Sequence, residues 1–368
     1  MAVLWQKGLG PALASAAHAR ERCGDVAWSF AWRGRGAPFL ALFAHMGTKG
    51  RQMTTLSSDL FERVPDAVSV YEVSLRDGLQ NESATVSLSG KLRLLDALTA
   101  SGLRRIEITS FVSPRWIPQL SDADELAAIA MTSRAPSEPD AIFSALCPNA
   151  RGLERAKKAG IKEIAVFMSA SETHNKKNIN KTIAEAFGTF EETIGPARDA
   201  GMRVRGYVST VWGCPYEGPI APEVSVSIAR RLHEMGCYQV SLGDTIGAGT
   251  PRLTRDVVLR ALDVLPVDAI ALHMHDTRGT ALANVLVGLE LGIRHFDASV
   301  GGMGGCPYAP GAAGNVATED LVYMFEGMGV RTGIDLERLV EAARAAESIV
   351  GRPLPGKVHR AGIRSLRA

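Results

Sequence analysis

Two histidines at alternate positions, in His273-Met274-His275-Asp276, are the most chemically pointed motif in the chain. On an extended strand residues i and i+2 face the same way, so both imidazoles would enter one space. A His-x-His pair is equally compatible with two core histidines. It gains meaning from Arg76-Asp77-Gly78 near one end of the chain and Asn315 near the other. Two nitrogens and two oxygens with no thiolate suit an octahedral divalent cation, Mg²⁺ or Mn²⁺, with positions left for water or substrate. Asp276 is expected to orient a neighbouring group rather than bind the ion. The segment 301–320, GGMGGCPYAPGAAGNVATED, is too rich in glycine for a helix interior or a central strand. It reads as a loop that carries an uncharged oxygen ligand, Asn315, and a thiol, Cys306, able to give or take a proton near neutral pH.

These residues need a scaffold that gathers distant parts of the chain at one point. From Ser69 onward a short apolar strand, a polar loop and an amphipathic helix alternate. Strands are expected at Ser69–Val73, Arg105–Thr109, Ala141–Leu146, Glu163–Met168, Val204–Val208, Gln239–Gly243, Ile270–His275 and His295–Ser299. Helices are expected at Leu88–Thr99, Gly152–Ala159, Ile183–Ala200, Pro222–Met235, Arg255–Leu265 and Thr280–Leu291, several ending at glycines such as Gly160, Gly201, Gly236 and Gly292. Eight strands alternating with helices predict an α/β fold of the (β/α)8 TIM-barrel type, with an extra C-terminal helix over 334–350. A doubly wound sheet is disfavoured because no GxGxxG opens a helix after the first strand. Such a barrel collects function at the carboxyl ends of its strands. Polar groups end every predicted strand: Arg76-Asp77, Glu107 and Ser110, Pro148-Asn149, Ser169 and Ser171, Tyr207 and Ser209, Ser241 and Asp244, His273 and His275, then the loop with Cys306 and Asn315.

The 368 residues, 46% hydrophobic, can fill one large core, and the net charge of +2 points away from nucleic acid. No apolar run reaches the roughly 18 residues of a membrane helix. The five cysteines (Cys23, Cys147, Cys214, Cys237, Cys306) are widely spaced without a CxxC, which fits a reducing compartment. Residues 1–52 hold seven Lys/Arg and two acids. Two readings fit that bias: translation beginning at Met53, which is preferred and goes with a bacterial cytoplasmic protein, or a presequence directing the chain to the mitochondrial matrix. Either way, residues 53–368 are expected to form a single barrel domain.

With these residues in place, the chain resembles the 3-hydroxy-3-methylglutaryl-CoA lyases, metal-dependent barrel enzymes related to the isopropylmalate and homocitrate synthases. The resemblance is carried by EVSLRDGLQNE (72–82), IEITSFVSPRWIPQL (106–120), KKNIN (176–180), VRGYVS (204–209), GCPYEG (213–218), SLGDTIGAGTP (241–251), HMHDTRG (273–279) and the loop 301–320. Two departures stand out: Ser74-Leu75 replaces the family's usual Gly-Pro, and Ser83 stands where a lysine often follows Asn81-Glu82. The resemblance implies metal ligands Asp77, His273, His275 and Asn315, a catalytic arginine at Arg76, a catalytic cysteine at Cys306 and an active-site glutamate at Glu107. His273 or Asp77 is the candidate base. Arg76, Arg205, Tyr207, Ser209 and Asp244 are expected to line the substrate pocket, and Cys214, in a second Gly-Cys-Pro-Tyr, to be structural. It further implies an acyl-CoA substrate, no redox cofactor, a homodimer as the assembly to consider, and leucine breakdown as the simplest pathway. A lyase for longer 3-substituted glutaryl thioesters, a condensing synthase and a non-catalytic acyl-CoA-binding barrel are the competing readings.

Overall fold

In the computed structural model, eight parallel strands close into one barrel in sequence order, with β8 paired back onto β1. The described residues are 64–133, 142–304 and 314–363, all within a unit spanning 59–368. The expected boundary at residue 53 and the residues before it lie outside them, as does Cys306. The strands are β1 Ser69–Glu72, β2 Arg105–Ser110, β3 Ile142–Leu146, β4 Glu163–Ser169, β5 Arg203–Ser209, β6 Gln239–Gly243, β7 Ile270–His273 and β8 His295–Ala298. The helices are α1 Leu88–Ala100, α2 Ala123–Ser133, α3 Ala150–Lys158, α4 Glu172–Ile179, α5 Ile183–Asp199, α6 Pro222–Glu234, α7 Pro251–Leu262, α8 Ala281–Glu290, α9 Thr318–Gly327, α10 Leu336–Val350 and α11 Val358–Ala361.

Period-two patterning decides which side chains face which layer. Ile106, Ile108, Ile164, Val166, Val204, Val208, Val240, Leu242, Leu272 and Phe296 join the apolar core under the helices. The alternate residues meet inside the barrel, and many are polar. Tyr71 on β1 hydrogen-bonds Ser144 on β3 and Glu163 on β4, Tyr207 on β5 reaches Glu107 on β2, and Arg205 on β5 reaches Asp297 on β8. Bonds between strands that are not neighbours must cross the lumen. The barrel is therefore filled by paired charges and phenols where branched apolar layers are the common solution.

Local chemistry explains the helix ends. The glycines after α3, α5, α6 and α8 all have positive φ, as stop signals require (Gly160 80°, Gly201 75°, Gly236 110°, Gly292 89°). Helix α7 begins four residues before the expected start. Thr250 caps it, accepting from Leu253 N at 3.4 Å, and Pro251 opens its first turn. Strand β7 stops at His273 rather than His275, and His275 instead forms an isolated bridge with Asn315. Helix α10 matches the expected extra C-terminal helix and packs on α1 and α9. Among the described residues no helix is long and apolar enough to cross a membrane.

Candidate metal centre and active site

The chain leaves β1 in one wide turn, Ser74–Gly78, in which the Val73 carbonyl accepts from both Asp77 N (2.7 Å) and Gly78 N (3.1 Å). Turns of this width recur at functional sites because they push side chains out of regular register. Glycine suits position 78, since a Cβ there would come within 2.7 Å of Ser299 Oγ and 3.1 Å of Met303 Cβ, so that neighbours would have to shift. The turn delivers Arg76 and Asp77 together. Arg76 Nε donates to Glu107 Oε2 at 2.6 Å and Nη1 to Asp77 Oδ1 at 2.5 Å, while the guanidinium lies 5.3 Å from the centre of the Tyr207 ring. The arginine is 7% exposed. Burial opposes its charge, but the adjoining carboxylates outweigh that and raise its pKa further. Burial raises Glu107 above the ordinary range, against the pull of Arg76. Burial would also raise Asp77; Arg76, His273, His275 and the Asn315 amide overcome it and hold the carboxyl well below the usual range.

Asp77, His273 and His275 bring one ligand atom each to within 4.8 Å of one another, the cluster of its kind among the described residues. The two Nε2 atoms are 3.2 Å apart, and Asp77 Oδ2 is 3.9 Å from His273 Nε2. Two ring nitrogens so close must share either a proton or a cation. Adjacent ligands of an octahedral ion with bonds of about 2.1 Å sit about 3 Å apart, so the spacing fits a small divalent metal. Burial and the neighbouring His273 push His275 down to about 4, which keeps it in the neutral form a metal needs. Asn315 is drawn in by its bridge to His275; its amide donates to Asp77 Oδ2 at 2.8 Å and to the Met303 carbonyl at 3.0 Å, and neither bond uses the amide oxygen.

Other expected site residues take different places. Arg205 was expected to line the pocket, yet its side chain is wholly enclosed, with Nη1 and Nη2 on Asp297 and Nε on Gln239. Opening that buried ion pair toward a ligand would strand a charge. Tyr207 is 6% exposed, its hydroxyl 3.4 Å from Glu107 Oε2 and its ring edge-on to His273. Ser209 is half-buried at the end of β5. Asp244 accepts from Ala248 N (2.8 Å) and Gly249 N (2.9 Å), so it shapes the loop after β6. Asp276 accepts from Ala281 N at the start of α8 and binds Lys357. Cys214 is buried, with Sγ 3.0 Å from Ser171 Oγ. The sequence reading missed Asp297, whose Oδ2 lies 3.1 Å from His273 Nδ1. Its signal was present: it alternates with His295 on β8, which places it on the lumen side.

The HMGL-like family model matches residues 67–345. Among curated proteins, the hydroxymethylglutaryl-CoA lyase of Pseudomonas mevalonii is 50% identical over 275 residues, 75% of this chain and 90% of its own length. A crystal structure of the Bacillus subtilis HMG-CoA lyase superposes with a TM-score of 0.78 at 47% identity, covering 81% of this chain and 98% of that one. An HMG-CoA lyase from Acinetobacter baumannii, in complex with coenzyme A and 3-methylmalate, gives a TM-score of 0.76 at 38% identity over 82% of this chain and 97% of that one. A closed eight-stranded barrel, a clustered Asp-His-His set at its mouth and this extent of identity agree, and the chain belongs to the HMGL-like family.

Proposed function

We propose that this protein is a carbon–carbon lyase that cleaves 3-hydroxy-3-methylglutaryl-CoA into acetyl-CoA and acetoacetate. The observation that carries the proposal is the joining of a metal-type cluster, Asp77, His273 and His275, to a buried arginine, Arg76, through one ion pair. A binding-only barrel has no use for that pairing. Asp77, His273, His275 and the amide oxygen of Asn315 would hold Mg²⁺ or Mn²⁺. Such an ion, bound to the substrate hydroxyl, lowers its pKa and fixes its orientation.

The remaining work falls to the protein's own groups. The tertiary hydroxyl gives its proton to a base; of the two candidates Asp77 keeps carboxylate lone pairs that can take it, whereas His273 would have Nε2 on the ion and its proton on Nδ1 beside Asp297. The bond between the carbinol carbon and the carbon next to the thioester breaks. Its electron pair becomes the enolate of acetyl-CoA, and the carbinol carbon becomes the ketone of acetoacetate. Arg76 would hold the enolate oxygen: its charge is permanent, and Glu107 and Asp77 fix it on two sides. Cys306 protonates the enolate carbon, as a thiol of pKa about 8.5 can near neutrality.

The decisive experiment supplies purified protein with the thioester and Mg²⁺ and measures acetoacetate. Formation of acetoacetate, its loss with EDTA and its return with added metal are expected. A metal-replete protein that releases no acetoacetate would overturn the proposal. A panel of longer 3-substituted 3-hydroxyglutaryl thioesters in the same assay sets the acyl preference, and an α-keto acid with acetyl-CoA tests for condensation.

A further inference from the structure

Beneath the ligand cluster, the barrel lumen holds a carboxylate that the cleavage chemistry does not use. Asp297 is 2% exposed. Its Oδ1 accepts from Arg205 Nη2 at 2.5 Å. Its Oδ2 accepts from Ser241 Oγ at 2.7 Å and Arg205 Nη1 at 3.1 Å, and lies 3.1 Å from His273 Nδ1. A carboxylate flanked by arginine can only accept, so this contact requires the imidazole proton to sit on Nδ1. In the neutral ring that a metal needs, the lone pair is then on Nε2, the atom 3.2 Å from His275 Nε2. Arg205 reaches Asp297 from the far side of the barrel, and its guanidinium lies 4.9 Å from the ring centre of Tyr207. Tyr207 meets Glu107, Glu107 holds Arg76, Arg76 holds Asp77, and Asp77 lies 3.9 Å from His273. The contacts form a closed ring through both the metal-type cluster and the arginine assigned to the enolate.

We propose that Asp297, clamped by Arg205, is a positioning residue that presents His273 to the metal through Nε2, a role that rests on the metal reading of the site above. A pair that only braced β5 against β8 would need the Arg205 bonds alone. Here one oxygen of the same carboxylate is shared with the histidine. Carboxylate–histidine–metal arrangements of this kind typically contribute 10- to 100-fold to metal affinity.

The test uses the full-length protein stripped of metal. Wild type, Asp297→Asn and the double variant Arg205→Met/Asp297→Asn are titrated with Mn²⁺ by calorimetry, with circular dichroism and thermal unfolding as controls for the fold. The single variant leaves a buried arginine without its counter-ion, which the double variant avoids. Mn²⁺ binding weaker by about 10- to 100-fold in whichever variants fold is the expected result. A folded variant that binds Mn²⁺ as wild type does overturns the proposal and leaves the metal reading standing. A wild type that does not bind Mn²⁺ overturns the metal reading and the proposal with it. Independently of any variant, ¹⁵N spectra of the wild-type histidines should place the proton of the neutral His273 ring on Nδ1; a neutral ring with its proton on Nε2 overturns the proposal.

Discussion

At the scale of single residues, the sharpest expectation separates Cys306 from Asn315. Both belong to the segment after β8, but their proposed duties differ: one supplies a proton to carbon, the other an oxygen to the metal. Cys306→Ala should lower kcat by about 10²- to 10⁴-fold while Mn²⁺ affinity stays at the wild-type value, because only the proton donor is lost. Asn315→Ala should weaken Mn²⁺ binding, since it removes the ligand and frees Asp77 Oδ2 from its hydrogen bond. Calorimetry and steady-state kinetics on both variants check this; equal loss of metal affinity in the two would refute the division. The Asp77, His273 and His275 cluster was legible in the sequence because alternation on a strand and a carboxylate at a strand end are local patterns. Arg205 was not. An arginine on a strand looks the same in sequence whether it faces a ligand or a buried partner, and its partner Asp297 is 92 residues away.

At the scale of elements, the helices that were foreseen have caps or glycine stops written locally, as at α3, α5 and α6. The short C-terminal segment after α10 has no such signal and is organised by tertiary contacts. Arg352 forms an ion pair with Glu82, Gly356 N donates to the Gly301 carbonyl at 2.9 Å, and Lys357 N donates to Asp320. Glu319 joins the same knot, accepting from Gly301 N at 2.9 Å and holding His359 at 2.7 Å. Leu354, 1% exposed, sits directly over Gly301, whose φ is +68°. The segment thus fixes the backbone just after β8, at Gly301. A Cβ at position 301 would run into the Leu354 side chain and would also sit in the left-handed region. Gly301→Ala should therefore destabilise the fold by about 2–4 kcal/mol, combining overpacking with backbone strain. Leu354→Ala should cost less in that background than in wild type, because it opens the space the new methyl needs. Urea denaturation of the four proteins gives the coupling energy. Strict additivity would show that the two positions do not press on each other.

For the molecule as a whole, the eight-stranded plan could be read from alternation, whereas the charged lumen could not. Alternating apolar and polar residues look like strands with one wet face; closing the barrel turns that face inward, where most of its polar groups must find partners. The consequence reaches beyond the active site. His295, at the start of β8, is pushed down to about 4 by burial and by the nearby Arg205 and Arg105, and burial does the same to His174. In an unfolded chain these histidines titrate near 6.5. Between about pH 6.5 and 4 the unfolded chain therefore binds protons that the folded chain refuses, so stability rises with pH in that window. The contribution of each histidine is complete above about pH 6.5 and is lost progressively as pH falls toward 4. His295→Gln removes one of these titrating groups and leaves the others, His174 and His275, in place. Its urea midpoint should fall less between pH 7 and pH 5 than the wild-type midpoint does, even if the variant is less stable at pH 7. Carboxylates elsewhere in the chain titrate equally in both proteins and cancel in the comparison. A variant whose midpoint drops by as much as that of wild type would show that the paired charges around β8 leave His295 as easy to protonate folded as unfolded.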